Sequence, residues 1–178
     1  MATVYDYELN EPRLARQKDL DTCWACCFSV LFGANQSAKQ ASESELVRAY
    51  ATTPTGGIDA SKLQKVASDF DYIANPFWND AAARGILTDG FIKDRLRLNG
   101  MMMAAWKVQD PDQPDKTFFH AQVVWGVAYM SNQEVGTDRA LLRTMNPATR
   151  SYQLYPLFMI YRPEKMPMFV AYPKSSRG

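Results

Sequence analysis

The strongest constraint on the fold of this chain is a segment with almost no polar face. Residues 23–32 read CWACCFSVLF, in which Ser29 is the one polar side chain apart from the cysteines. A helix that is apolar around its whole circumference must be enclosed by other parts of the protein. We therefore expect a buried central helix, with Asp21 or Thr22 as its N-cap and Gly33 as its C-cap.

The rest of the chain divides into a helical half and a strand-rich half. Further helices are predicted over residues 42–50, 59–70 and 88–98. Strands are predicted over residues 3–9, 101–108, 119–129, 140–145, 152–160 and 168–172. Helices and strands that are segregated along the chain predict an α+β fold, with an N-terminal helical lobe packed against a C-terminal antiparallel β-sheet lobe.

The length fits one domain with a core of useful size. We predict a single domain over residues 1–178, with the helical lobe over about 17–100. The sheet lobe is predicted over about 101–173, together with the N-terminal segment. The cleft between two such lobes is the natural position for a site.

Charge and composition exclude several classes of function. Twenty Lys and Arg residues stand against nineteen Asp and Glu residues, so the net charge of +1 provides no basic field for nucleic acid or anionic lipid. No apolar run approaches the roughly 18 residues that span a bilayer. Residues 1–16 contain three acidic residues and no apolar stretch, so we expect no cleavable export signal and synthesis in the cytoplasm.

The chain has a single histidine, His120, and this excludes every site that needs two. HExxH zinc proteases, two-His facial triads and Cys2His2 zinc sites are ruled out. The sequence around His120 predicts a position near the start of a strand. Taken alone, such a residue is either a core histidine or a general acid–base group, because imidazole titrates near neutral pH.

The three cysteines, Cys23, Cys26 and Cys27, lie within five residues of each other. An odd, clustered set is not a disulfide framework. Cys23 is expected in the first turn of the helix, where the helix dipole favours a thiolate, whereas Cys26 and Cys27 suit buried structural positions. A Cys3His zinc site with His120 is an alternative, but adjacent cysteines of a helix converge poorly on one ion. We therefore expect no metal and no cofactor.

Two further polar residues stand where they could assist a thiol. Gln17 precedes Cys23 by six residues, and its amide together with the Cys23 backbone N–H could form an oxyanion hole. Asn146 follows a predicted strand and precedes Pro147, where its side-chain carbonyl could orient His120. Taken separately, the first is an ordinary loop glutamine and the second a turn signal.

The order of these residues resembles the papain-like cysteine peptidase superfamily. The resemblance is carried by Gln17, the Cys23-Trp24-Ala25 run, His120 with the small residue after it, and Asn146-Pro147. The spacing of six between the glutamine and the cysteine is that of papain. The compact form resembles bacterial members, namely the bacteriocin-processing peptidase domains of exporters and secreted effector proteases.

This resemblance implies a role for each residue. Cys23 would be the nucleophile, His120 the general base and acid, Asn146 the residue that orients the imidazole, and Gln17 the oxyanion donor. Trp24 would pack behind the site. The implied activity is that of a thiol-dependent peptidase or amidohydrolase that cleaves amide bonds in a protein or peptide substrate.

Several alternatives share this scaffold. A Cys-His-Asn site forms a thioester from any carboxamide, so a protein deamidase, a transglutaminase or a cell-wall peptide amidase is also compatible with the residues. A catalytically inactive papain-like binding module is the alternative from another class. By association with bacterial members, we expect a bacterial effector or toxin, exported by a dedicated secretion system into a target cell and controlled by a cognate immunity or inhibitor protein.

Overall fold

The computed structural model describes residues 2–77, 89–109, 117–131, 139–157 and 168–174, and these residues form four helices and seven strands. The helices are α1 (Cys23–Ala34), α2 (Glu43–Tyr50), α3 (Ala60–Asp69) and α4 (Asp89–Asn99). The strands are β1 (Ala2–Glu8), β2 (Tyr72–Phe77), β3 (Met102–Gln109), β4 (Thr117–Ser131), β5 (Arg139–Asn146), β6 (Ser151–Pro156) and β7 (Met168–Pro173).

The seven strands form one antiparallel sheet around the long strand β4. The order is β2-β7-β3-β4-β5-β6, and β1 pairs with the C-terminal half of β4. On one edge of β4, residues 117–124 pair with β3. On the opposite edge, β5 pairs with β4 only from Val123 onward. Residues 119–121 therefore have no strand partner on the β5 side within the described sheet.

Alternation along the strands gives the sheet two apolar faces. Met103, Ala105 and Val123 belong to the core that contains α1, α2 and α3. Met102, Ala104 and Trp106 belong to a second core, which contains Ile92 and Leu96 of α4. The central sheet is thus covered by helices on both faces. The expected α+β fold, with the cysteine-bearing helix against an antiparallel sheet, is confirmed, but α4 lies on the opposite face from the other helices.

Helix α1 is buried as its sequence requires, and its start was predicted correctly. Nine of its residues are buried, and Thr22 is its N-cap. The expected C-cap at Gly33 is wrong, because the helix continues through Ala34 and ends at Asn35. The Asn35 side chain binds both backbone groups of Met101, accepting from its N–H at 2.8 Å and donating to its carbonyl at 2.9 Å. This pair of bonds joins the end of α1 to the start of β3.

The shorter helices follow their local signals. Ser42 and Glu45 form a capping box at the start of α2, and Asp59 caps α3 through a bond from the Lys62 N–H. Strand β2 was not predicted, because Asn75 and Pro76 interrupt the pattern of β-forming residues. Its place beside β7, at the end of the strand order, is one that tolerates proline. Among the described helices, none is long and apolar enough to cross a membrane.

Candidate active site

The thiol of Cys23 lies against the free edge of β4. Cys23 is the first residue of α1 and is 5% exposed. The backbone N–H of Ala121 donates to its Sγ at 3.4 Å, and Sγ lies 3.9 Å from the carbonyl oxygen of Phe119. These two backbone groups belong to the residues on either side of His120. Because β5 does not pair with this part of β4, the edge is open, and the start of α1 brings the sulfur against the backbone on either side of His120.

The His120 ring is fixed by a hydrogen bond to Asn146. Nε2 of His120 lies 2.9 Å from Oδ1 of Asn146, and both side chains are buried. The orientation of the amide is set independently, because Oδ1 accepts from the Ala148 N–H at 2.9 Å while Nδ2 donates to Oε1 of Gln153 at 3.2 Å. A carbonyl oxygen only accepts, so the proton of the neutral ring is on Nε2 and Nδ1 carries the lone pair.

Burial favours the neutral forms of both the thiol and the imidazole. Removal from water raises the pKa of Cys23, and the N–H of Ala121 opposes this effect. Removal from water also lowers the pKa of His120, and the hydrogen bond that its ring donates to Asn146 opposes this effect. These directions favour the thiol over the thiolate that the helix dipole alone would favour, and the neutral imidazole over the imidazolium.

The lowered pKa of His120 predicts a specific dependence of stability on pH. Above pH 6.5, the ordinary value for histidine, both folded and unfolded chains carry the neutral ring. As the pH falls through 6.5, the unfolded chain binds a proton and the folded chain does not. The free energy of unfolding therefore decreases until the pH reaches the folded-state pKa of His120.

The measurement is urea unfolding of wild type and His120→Gln between pH 8 and pH 5 (about the range in which histidine titrates). The difference in unfolding free energy between the two proteins should be constant at the upper end of this pH range. It should then fall as the pH decreases, with a slope of at most about 1.4 kcal/mol per pH unit. A difference that stays constant over the whole range would contradict the lowered pKa.

A cleft of about 420 Å³ opens beside Cys23. Its wall is mainly apolar, with Ile58, Leu63 and Phe169 among the residues that line it. Phe118 and Phe119, immediately before His120, also line it and are 41% and 43% exposed. The combination of an apolar cleft and a thiol in its wall is typical of a site that holds an extended organic substrate against a nucleophile.

The loop before α3 supports the start of α1. Trp24 is 3% exposed, and its indole N–H donates to the carbonyl of Gly56 at 2.9 Å. Gly56 has a φ of +89°, and a Cβ at this position would lie 2.5 Å from Cγ2 of Thr22, the N-cap of α1. The close approach therefore requires glycine.

Replacing Gly56 should destabilise the protein through this contact. We expect Gly56→Ala to lower the free energy of unfolding by roughly 2–4 kcal/mol, because both the positive φ and the clash must be accommodated. Gly33→Ala is the matched control, since a Cβ there meets no atom within 4 Å and alanine is the better helix former. Thermal or urea unfolding measures both, and equal stability of the two variants would contradict the close approach.

The loop that carries Gln17 is held close to the site, but its amide does not point to an open oxyanion position. Nε2 of Gln17 donates to the carbonyls of Asp19 and Leu20 at 2.8 and 2.7 Å. Its Oε1 is buried without a hydrogen-bond partner. The backbone N–H of Gln17 bonds to the carbonyl of Pro147 at 3.1 Å, which ties this loop to the turn after Asn146. The oxyanion role of Gln17 stays a prediction that requires its side chain to turn.

A buried carboxylate, missed in the sequence, anchors the same loop. Glu43 is 8% exposed, and its Oε1 accepts from the Lys18 N–H at 2.8 Å and from the Thr22 hydroxyl at 2.6 Å. It therefore fixes the two ends of the segment between Gln17 and Cys23. In the sequence Glu43 is one more acidic residue at a helix start. Gln153, which fixes the amide of Asn146, likewise carries no sequence signal.

The four predicted site residues thus differ in how the structure places them. Cys23 and Asn146 are set around His120 by bonds to it or to its neighbours, whereas the Gln17 amide is bonded within its own loop. In the part of the chain that the structure describes, no group of three or more His, Cys, Asp or Glu side chains is arranged to hold a metal ion. The three cysteines are free thiols.

The fold matches solved peptidase domains. The peptidase domain of Streptococcus ComA, a bi-functional ABC transporter involved in quorum sensing, aligns over 92% of this chain and 100% of its own, with a TM-score of 0.54 and 13% identity. A double glycine motif protease from an AMS/PCAT transporter, solved in complex with the leader peptide, aligns over 98% and 100%, with a TM-score of 0.53 and 12% identity. Both are papain-like.

No family profile and no curated protein matches this chain. At identities this low the structural likeness shows the fold, and the expected papain-like architecture is therefore confirmed.

Proposed function

We propose that this protein is a thiol-dependent peptidase that uses Cys23 as nucleophile and His120 as base. The observation that carries the proposal is the hydrogen bond from His120 to the side-chain amide of Asn146, whose oxygen and nitrogen are each fixed by a further hydrogen bond. The Cys23 sulfur lies against the backbone next to that histidine. A histidine that served only as core would not need its tautomer set by two further bonds.

The tautomer determines the direction of proton transfer. With the proton on Nε2 and Asn146 as its acceptor, Nδ1 of His120 is the basic atom. In the proposed reaction Nδ1 takes the thiol proton of Cys23 as Sγ forms a bond to the substrate carbonyl carbon. The same proton then passes to the departing amine as the C–N bond breaks. Water hydrolyses the resulting thioester, and the thiol is regenerated.

The tetrahedral intermediate requires donors for its oxyanion. The N–H of Cys23 is the first of α1 and has no acceptor within the helix, so it is one candidate donor. Gln17 becomes the second if substrate binding releases its amide from the loop carbonyls. Glu43 also supports the proposal, because its bonds to Lys18 and Thr22 would hold the two ends of the loop in place while the Gln17 side chain turns.

The substrate class is proposed from the structural neighbours. One of them is a double glycine motif protease bound to a leader peptide, and its fold covers nearly this whole chain. We propose an extended peptide as the substrate of this chain too, and peptides that contain paired glycines as the first to test. Delivery as an exported effector and control by an immunity protein stay predictions.

The test is mass spectrometry of a peptide library, with and without paired glycines, after incubation with the protein. A peptidase produces two shorter chains; a deamidase produces the Gln-to-Glu mass increase, and a transglutaminase produces an amine adduct with release of ammonia. The matched control is Cys27→Ala, which removes a thiol of the same helix that lines neither the cleft nor the basic pocket. Unchanged peptides with a correctly folded wild type would support the inactive binding module instead.

A further inference from the structure

A second pocket, lined by the loop that carries Gln17, is strongly basic. It has a volume of about 420 Å³ and is walled by the loop before α1, the start of α2 and the turn after Asn146. Four cationic side chains line it. They are Arg13, Arg16, Lys18 and Arg150.

These cations are not neutralised by acidic neighbours. Glu43 is the acidic residue among those that line the pocket, and one of its oxygens already accepts two hydrogen bonds. Lys18 Nζ bonds to Ser44, and Arg13 bonds weakly to Ser29 at 3.4 Å. The side chains of Arg16 and Arg150 form no ion pair or hydrogen bond with any residue that the structure describes.

The concentration of positive charge is local. The whole chain carries a net charge of only +1, so an excess of three positive charges around one pocket does not reflect a generally basic surface. Like charges held together in a concave site repel each other, which costs stability unless an anion binds there. The arginines also provide the planar, multiple donors that match a carboxylate.

The position of the pocket relates it to the proposed reaction. Cys26 lines the basic pocket, and Cys23 lines the cleft. Residues three apart on a helix are neighbours, with Cβ atoms about 5–6 Å apart. An extended peptide advances about 3.3 Å per residue, so a peptide that passed from one pocket to the other would place a side chain in the basic pocket only a few residues from a carbonyl at Cys23. The loop that carries Gln17 lines the basic pocket through its neighbours Arg16 and Lys18.

We propose that the basic pocket binds a carboxylate of the peptide substrate, an Asp or Glu side chain a few residues from the cleaved bond. This inference rests on the proposed peptidase function and specifies its substrate class as an acidic peptide. A free small anion, such as a phosphate compound, offers similar chemistry. The continuity of the pocket wall with the loop of the candidate site favours the substrate as the source of the carboxylate.

The test compares cleavage of peptide pairs that differ by Glu or Gln at single positions around the cleaved bond. Wild type should prefer Glu at one or two adjacent positions by about tenfold in kcat/KM, and added salt should reduce the preference. The double variant Arg16→Glu with Arg150→Glu should lose it. Arg97→Glu, an exposed charge reversal on α4, is the control and should keep it. The ratio within each variant cancels any change in basal activity.

A binding measurement separates failure of this proposal from failure of the peptidase function. Fluorescent Glu and Gln peptides are titrated onto the Cys23→Ala protein, which cannot turn them over. Tighter binding of the Glu peptide that depends on Arg16 and Arg150 supports the basic pocket even if wild type cleaves nothing. Cleavage without any Glu preference overturns the proposal that the basic pocket binds a substrate carboxylate. The proposal is also overturned if the pocket binds inorganic pyrophosphate through Arg16 and Arg150 but does not distinguish the Glu peptide from the Gln peptide.

Discussion

Replacing Cys23 with alanine should reduce peptide cleavage at least about 10³-fold, to the level that binding and oxyanion contacts alone supply. The variant removes the sulfur that would form the thioester, and no other described thiol borders the cleft. The fold should survive, because alanine fills most of the small buried volume at the start of α1. Single-turnover cleavage of the best library peptide measures the effect, with circular dichroism to establish folding.

Alkylation by iodoacetamide provides a second measurement on the same variant. Burial raises the pKa of all three thiols, that of Cys26 to about 12 and that of Cys27 well above its ordinary value, but of the three only Cys23 lines the apolar cleft and has His120 as its proposed base. We therefore expect the label on Cys23 in the native protein, and none in Cys23→Ala. Cys27→Ala should label and cleave like wild type. Label on Cys26 or Cys27, or full activity of Cys23→Ala, would contradict the assignment.

Replacing His120 should be the next most damaging change. As the only histidine of the chain, it has no substitute as a base near neutral pH. We expect His120→Ala to lower kcat/KM by about 10²–10⁴-fold, the usual range for loss of a general base. The pH profile provides a readout that mere misfolding would not reproduce. The acid limb of the wild-type profile should have its midpoint below pH 6.5, because burial lowers the pKa of His120.

His120→Gln is the matched variant for this prediction. Glutamine can keep a hydrogen bond to Asn146, so the strand edge stays intact, but it cannot take a proton. Its residual activity should be as low as that of the alanine variant and independent of pH through the acid limb. A glutamine variant with near wild-type activity would exclude His120 as the base and favour a structural role.

The architecture follows from residue patterns that leave little choice. An all-round apolar helix at Cys23 requires cover on every side, and the sheet together with α2 and α3 supplies it. The wrong C-cap at Gly33 and the failure to predict β2 have the same cause. In both segments, contacts with residues distant in sequence outweigh the local sequence signal. Asn35 ends α1 because it binds Met101, and Pro76 sits in a strand because β7 provides the pairing.

The candidate site could be predicted in part for the same reason. The order and types of the reacting residues are visible in the sequence, because chemistry restricts them. The supporting bonds are not visible, since they depend on which buried donors and acceptors meet. Glu43, Ala148 and Gln153 enter only with the fold. The same holds for the raised pKa of Cys23, because the desolvation that causes it depends on how closely β4 approaches.

The contact between Cys23 and the backbone of Ala121 joins residues 98 positions apart. At ribosomal rates of about 5–20 residues per second, α1 is synthesised roughly 5–20 s before β4. During this interval the nascent chain has the proposed nucleophile without the proposed base, and an apolar helix without the sheet that covers it. The proposed activity would therefore arise only after long-range strand pairing, a slow class of folding event, and the exposed apolar helix of the early chain is the kind of surface that chaperones bind.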